Sequence, residues 1–406
     1  LSENHRKAPT VIRNSFGLVH PREALWLVPF VCLGIIALGL FRPQPKFPAP
    51  AQSRIVRDET GKPVQIAVPF RGVAVVGSTP DGYLMDTHAP EFLVHAGDPD
   101  GRKRFAGLME SLVYPEVLKK DSLWDAGLFK YAHGPYAEFE TLLAYDPGVF
   151  LGYDGGFSLL TQLRNFDLPV LADWGHQKTN EQVGFSVARV DSALIGHPEL
   201  GEARIASYRR VFADLEKELQ PSLMDSRPSV LTMAASSRDR TGVSVARWRQ
   251  DDYFRAGMDD ASQGWAIRGD DAERILAMDP DIVILMGTGN GAEGPREFLQ
   301  DPRWFGLKAT ESRRVYKDYG VDALKGNAGL TFSPVEVRWM AEIAHPDRLQ
   351  PRVRQLSRER MYEEFGYLLN EDQIDYLLQI KENSDSIGVR RFIRNYQSTS
   401  YQRSSK

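Results

Sequence analysis

The sequence predicts an α/β protein built as two doubly wound lobes joined by one long helix, and three observations predict it. The first is one sentence written twice: "ETLLAYDPGVF" over 140–150 and "ERILAMDPDIVIL" over 273–285, whose first eight residues share Glu, Leu, Ala, Asp and Pro. The second is the stretch "LGEARIASYRRVFADLEKELQ" between the copies. Its apolar residues Ile205, Tyr208, Val211, Phe212, Leu215 and Leu219 recur at helical spacing. The third is the alternation of short apolar runs with amphipathic stretches on both sides of that helix, the pattern of strands covered by helices.

Each copy is justified by local chemistry. Proline disfavours the helical conformation of the residue before it, so a helix ends at each Asp-Pro. An aliphatic run follows at once, as a parallel strand covered on both faces requires.

The remaining elements follow in chain order. Ala24 to Phe41 is an 18-residue run without a charge, preceded by Arg6, Lys7, Arg13 and Arg22. It predicts a signal or an uncleaved membrane anchor with its N-terminus inside, since about 20 apolar residues span a bilayer. Residues 1–23 form the N-terminal segment before it, and the Pro-rich stretch 42–53 forms an extended linker. The first lobe covers 54–199, with strands in "QIAVPF", "GVAVVG", "PEFLVHAG" and "LPVLADW" and a helix in "FSLLTQLRNF". The connecting helix covers 200–220. The second lobe covers 221–380, with strands in "PSVLTMAA", "DIVILMG" and "RRVYKDYG". Its helix "GDDAERILAM" takes Asp270 or Asp271 as N-cap, and "SPVEVRWMAEIAHP" takes Ser333 as N-cap with Pro334 at the first helical position. Residues 381–406, rich in Arg, Ser and Asn, read as an added, disordered tail.

Composition excludes several classes. A chain of 406 residues, 42% hydrophobic and 26% charged, suits two folded domains plus extras. A formal net charge of -4 gives no sign of a nucleic-acid surface. The single cysteine, Cys32, rules out an intrachain disulfide and a CxxC metal site. "GTGNG" over 287–291 follows a strand but lacks the Lys-Ser/Thr of a phosphate loop, so it reads as a strand-end turn. His88, His95, His133 and His176 all fall in the first lobe without a close pair at ligand spacing, so no metal site is assigned. No nucleophile elbow stands out.

The ordered series of segments resembles the substrate-binding proteins of ABC importers for iron-siderophores, haem and cobalamin. That family carries an "E-x-x-L-A-x-x-P-D-x-V-I" unit in each lobe. "ERILAMDPDIVIL" is similar to it throughout, and "ETLLAYDPGVFLG" is similar with Gly148 where aspartate is usual. "FDLPVLAD", "DPRWFGLKATESRRVYKDY" and the C-terminal helix "YEEFGYLLNEDQIDYLL" resemble further family passages, so the likeness runs from about Val64 to Leu378. The family's Gly-Gly-x-Asn is missing, and "AGMDDA" stands in its place.

The resemblance implies a ligand cleft between the lobes and a non-enzymatic role. It also implies docking of one glutamate per lobe, here Glu140 and Glu273, against arginines of a permease that works with an ATPase. Each glutamate is also a favourable first-turn acid at a helix N-terminus. A cleft in such folds is built from loops at the carboxyl ends of strands. The candidates there are Tyr153, Trp174, Arg238, Arg240, Trp248, Arg249, Tyr253 and Tyr319. Guanidinium groups pair with carboxylate or catecholate oxygens and rings stack, so this set suits a flat anionic or aromatic solute. The expected function is periplasmic or inner-membrane-anchored capture of a ferric chelate, haem or corrinoid, with no intrinsic cofactor. The competing readings are a chelatase-like or metallocluster enzyme on a similar scaffold, and direct binding of a metal ion.

Overall fold

The computed structural model describes residues 52–69, 72–76, 93–96, 148–153, 158–175, 179–219, 226–235, 243–245, 250–263, 272–286, 294–320 and 329–394. The chain divides after Ala51, and every described residue belongs to the second unit, from Gln52 onward. The predicted anchor at 24–41 lies outside the described residues. Among the described residues no helix is long and apolar enough to cross a membrane.

The second unit opens with an antiparallel hairpin, β1 (Gln52–Arg57) and β2 (Pro63–Val68). Its turn is organised by Asp58, whose Oδ1 accepts from the Thr60 and Lys62 amides at 3.0 and 2.9 Å. Gly61 takes φ 83°, open to glycine without strain. Of these two strands only β2 is expected from the sequence, because the Pro-rich stretch before β1 conceals its partner.

The first sheet is four-stranded and wholly parallel, in the order β4-β3-β5-β6. Its strands are β3 (Val73–Val76), β4 (Leu93–Ala96), β5 (Val149–Tyr153) and β6 (Val170–Trp174). Helix α1 (Ser158–Asn165) packs Leu160 and Leu163 against Ala74, Phe150 and Val170. Helix α2 (Asn180–Ile195) lies against β6, where the Ser186 hydroxyl donates to the Asp173 carbonyl at 2.6 Å. Thr179 caps α2 by accepting from the Gln182 amide, and Gly196 ends it at φ 90°.

Helix α3 (Pro198–Glu218) comes next, close to the predicted 200–220, with proline at its first position. Ile205, Tyr208, Phe212 and Leu215 are all buried along one stripe. They share a single apolar core with Phe185 and Ala188 of α2 and with residues of the second sheet.

The second sheet has the order β11-β10-β7-β8, and β9 also pairs with β7, at its first two residues. The strands are β7 (Ser229–Ala235), β8 (Val243–Val245), β9 (Asp259–Asp260), β10 (Ile282–Met286) and β11 (Val315–Lys317). All pairings are parallel except β7 with β8. Alternate residues of β7 and β10 enter different cores. Val230, Ile282 and Ile284 face the core shared with α3, while Leu231, Met233, Val283 and Leu285 face Ile275, Phe298 and Trp304. A sheet covered on both faces explains the unbroken aliphatic run "IVIL". The covering helices of the second face are α5 (Ala272–Met278), α6 (Pro295–Gln300) and α7 (Lys308–Glu311). Helix α4 (Gln250–Arg255) precedes β9.

Three boundaries depart from the sequence reading. Helix α8 runs Gly329–Ala344, so Pro334 lies inside it and Ser333 is not its N-cap. The helix expected in "YEEFGYLLNEDQIDYLL" is two: α9 (Val353–Phe365) ends at Gly366 with φ 62°, and Asn370 starts α10 (Glu371–Leu377) with a reciprocal capping box. The tail set to begin at 381 is packed as far as Arg394. The Asn383 side chain accepts from the Lys317 amide at 2.6 Å and donates to its carbonyl at 3.1 Å. The Ser386 hydroxyl bonds the Val315 carbonyl, and the Ile387 amide donates to the Arg313 carbonyl at 2.9 Å. This strap occupies the outer edge of β11, which would otherwise present unpaired backbone groups. Its many charged residues hid it, although Val389 and Phe392 anchor it in the core shared with α3.

A buried ionic network ties α3, α8 and α9 together. Arg338 donates to Glu342 and to Glu218, each at 2.6 Å. The same Glu342 oxygen accepts the amides of Arg352 and Val353 at 2.7 and 3.1 Å. Helix α9 lacks a capping side chain of its own, and a carboxylate from α8 satisfies its first amides instead.

Candidate functional site

Strand order marks the candidate site before any side chain is considered. In the first sheet the chain goes from β3 to β4 on one side and then to β5 on the other. The order therefore reverses between β3 and β5, and in open α/β sheets the crevice outside the carboxyl ends at such a switch is where ligands bind. In the second sheet β7 stands between β10 on one side and β8 and β9 on the other. The matching switch lies between the carboxyl ends of β7 and β10, at Ala235 and Met286.

The predicted residues sort against this frame. Tyr153 and Trp174 end β5 and β6 and are direct register partners, after a register shift between Gly152 and Tyr153. Two residues far apart in the sequence are thus side by side at the carboxyl edge of the first sheet. Arg238 and Arg240 follow the end of β7, and Trp248 and Arg249 stand just before α4; all four lie outside the described residues. Glu140 also lies outside them. Glu273 is exposed in the first turn of α5.

Two of the predicted cleft residues are corrected. Tyr253 is 1% exposed and its hydroxyl bonds Thr232 of β7. Tyr319 is 4% exposed and its hydroxyl meets that of Ser357 at 3.0 Å, with burial raising its pKa. Both rings belong to the core shared with α3 and α8. An aromatic residue near a strand end is amphipathic, and here the hydroxyl found a partner inside the fold.

Burial also governs the titratable groups on the second sheet. His345 sits with Nε2 3.0 Å from the Gly257 carbonyl, so that nitrogen carries the proton and donates. Burial holds this imidazole below its ordinary value, and Arg348, Arg314 and Arg227 push in the same direction. Gly257 takes φ 74°, and a Cβ there would come 2.7 Å from the His345 ring nitrogen. Burial pushes the Glu342 carboxyl up, against the pull of Arg338. None of these groups reaches either switch point; they fix the scaffold. Among the described residues no three His, Cys, Asp or Glu side chains are grouped to hold a metal ion. A surface cavity of about 120 Å³ lies between α3 and α9, floored by Arg338. Its arginines are engaged with Glu218, Glu342 and Glu363.

Comparison with known proteins agrees with this geometry. Residues 137–319 match the family model described as periplasmic binding protein. No curated protein matches the chain. Among solved structures, a periplasmic solute binding protein from Veillonella parvula is 20% identical with a TM-score of 0.66, covering 82% of this chain and 99% of that one. Helicobacter pylori CeuE in a nickel–histidine complex is 16% identical with a TM-score of 0.60, covering 80% and 99%. The molybdate-bound protein MolA from Haemophilus influenzae is 13% identical with a TM-score of 0.59, covering 78% and 99%. The fold is that of periplasmic solute-binding proteins.

Proposed function

We propose that this chain, which carries a periplasmic binding protein domain over residues 137–319, is the solute-capturing component of an ABC importer. It would take up a ferric chelate, haem or corrinoid on the periplasmic side of the inner membrane and hand it to a permease. The observation that carries the reading is the pair of switch points, one in each parallel sheet, within or bordering the matched segment. Helix α3 is the link between the two lobes in this reading. Tyr153 and Trp174 at the edge of the first sheet, with Arg238, Arg240, Trp248 and Arg249 from the second, supply rings and guanidinium groups for a flat anionic solute. Glu140 and Glu273 provide the permease contacts, one on each lobe, where paired charges steer docking and fix its register. The run 24–41 anchors the chain or directs its export.

The test is a titration of the purified chain, followed by tryptophan fluorescence, with haemin, cyanocobalamin, ferric catecholate and hydroxamate chelates, molybdate and nickel–histidine. One of the first four should bind at one per chain, and Arg249→Ala should weaken it. Stoichiometric binding of molybdate or nickel–histidine alone would replace the proposed solute class. Binding of none would remove the solute-capture reading.

A further inference from the structure

The described residues bring together an ion pair that joins the two sheets across the flank of α3. Glu181 lies in the first turn of α2, the helix held to the first sheet through Ser186 and Asp173. Arg255 is the last residue of α4, the helix held to the second sheet through Tyr253 and Thr232. The Arg255 guanidinium donates to the Glu181 carboxylate at 3.0 Å, and the two side chains are only 24% and 27% exposed. The same guanidinium stands over the Phe212 ring of α3, 4.4 Å from its centroid. One turn earlier, Tyr208 meets Phe185 of α2 edge-on at 5.4 Å.

We propose that Glu181 and Arg255 are positioning residues, a clasp that sets the resting angle between the two sets of strand-end loops. This rests on the two-lobe reading above. Exposed ion pairs contribute little, because water screens them and long side chains must be ordered. This pair is different on three counts. It is largely desolvated, its cation is held by an aromatic face, and each partner sits on a helix that follows a stretch carrying proposed solute residues. Helix α2 follows Trp174, and α4 follows Trp248 and Arg249. Neither helix can rotate with its sheet without stretching the 3.0 Å contact. The aromatic joint of Phe185, Tyr208 and Phe212 sits beneath it as the pivot, and the pair limits the swing.

The clasp is tested without any solute, so its outcome stands apart from the identity of the solute. In a Cys32→Ser chain, nitroxides are placed at Gln162→Cys on α1 and Gln300→Cys on α6, both exposed positions. The distance distribution between them is measured by pulsed electron resonance. Glu181→Gln should broaden the distribution and shift its mean, and Arg255→Gln should do the same. The double variant should be no broader than Arg255→Gln alone, because that change already removes both the ion pair and the Phe212 contact. An unchanged distribution in both single variants would overturn the proposal, even if their melting temperatures fall. Additive broadening in the double variant would overturn it as well, since the two residues would then act separately.

Discussion

The two copies of the repeated sentence differ just after the Asp-Pro, where one has Gly148 and the other Asp281, and the structure gives that difference a physical meaning. Val149 of β5 pairs with Val73, and Ile282 of β10 pairs with Val230, so Gly148 and Asp281 are equivalent, as are Gly72 and Ser229. In the second sheet Asp281 accepts from both the amide and the hydroxyl of Ser229 at 2.9 Å, and returns its own amide to that hydroxyl at 3.0 Å. In the first sheet the same junction is closed by backbone alone, with the Gly148 amide donating to the Gly72 carbonyl at 2.9 Å. One sheet starts its switch-point strand pair with a charged side-chain staple, and the other with two glycines. The aspartate after the Asp-Pro is therefore a register device, and Gly148 replaces it where its neighbour strand opens on glycine and offers no hydroxyl.

The second sheet should show the larger stability effects, since its staples are side chains that can be removed. Glu342→Ala has the largest expected effect. It leaves the Arg338 charge, which is 4% exposed, with Glu218 as its remaining carboxylate partner, and it uncaps α9. Breaking a buried pair from one side costs about 3–5 kcal/mol, readable as a drop in the denaturant midpoint. A loss below 1 kcal/mol would mean that the network is solvated. Next is Asp281→Ala, which removes two charge-assisted bonds at a half-buried site and should cost about 1.5–3 kcal/mol. The comparison sharpens with Gly148→Asp in the first sheet, which gains no such bonds because Gly72 has no hydroxyl. Stabilisation by that variant would refute the account of the two junctions.

A smaller effect concerns acid. The folded chain holds His345 neutral, with its pKa below the ordinary 6.5, so the unfolded chain binds the proton first as pH falls. The contribution is whole above pH 6.5 and is lost as pH falls through the lower folded value. Melting temperature should therefore decline as pH falls from 6.5 toward that lower value, and His345→Gln should flatten the decline. An equal slope in both proteins would assign the acid sensitivity to carboxylates instead. The smallest expected effect on stability is that of Glu273→Ala, about 0.3–1 kcal/mol for an exposed first-turn acid. Its effect should fall on transporter ATPase stimulation, more so when combined with Glu140→Ala.

Much of this architecture was legible in the sequence for a definite reason. Apolar periodicity records burial, and the stripe on α3 and the run "IVIL" of β10 are buried as their spacing requires. What escaped were contacts in which side chains bond backbone groups far away in sequence. Asn383 on Lys317, Glu342 on the α9 amides and Ser386 on Val315 leave no periodic trace. Polar residues of this kind made the strap to Arg394 resemble a disordered tail. The candidate site was half legible. Strand ends placed Tyr153 and Trp174 together at the edge of the first sheet, but aromatic character alone could not foresee that the hydroxyls of Tyr253 and Tyr319 are spent inside the core.

The central claim is that solute binds outside the carboxyl ends of the strands at the two switch points. Hydrogen exchange with and without the solute identified by titration tests it most directly. The account predicts new protection in peptides spanning 153–157, 174–178, 236–249 and 287–293. Peptides from α3 and from the strap 381–394 should be unchanged. Protection centred instead on the cavity floored by Arg338, with the strand-end peptides unaffected, would contradict it.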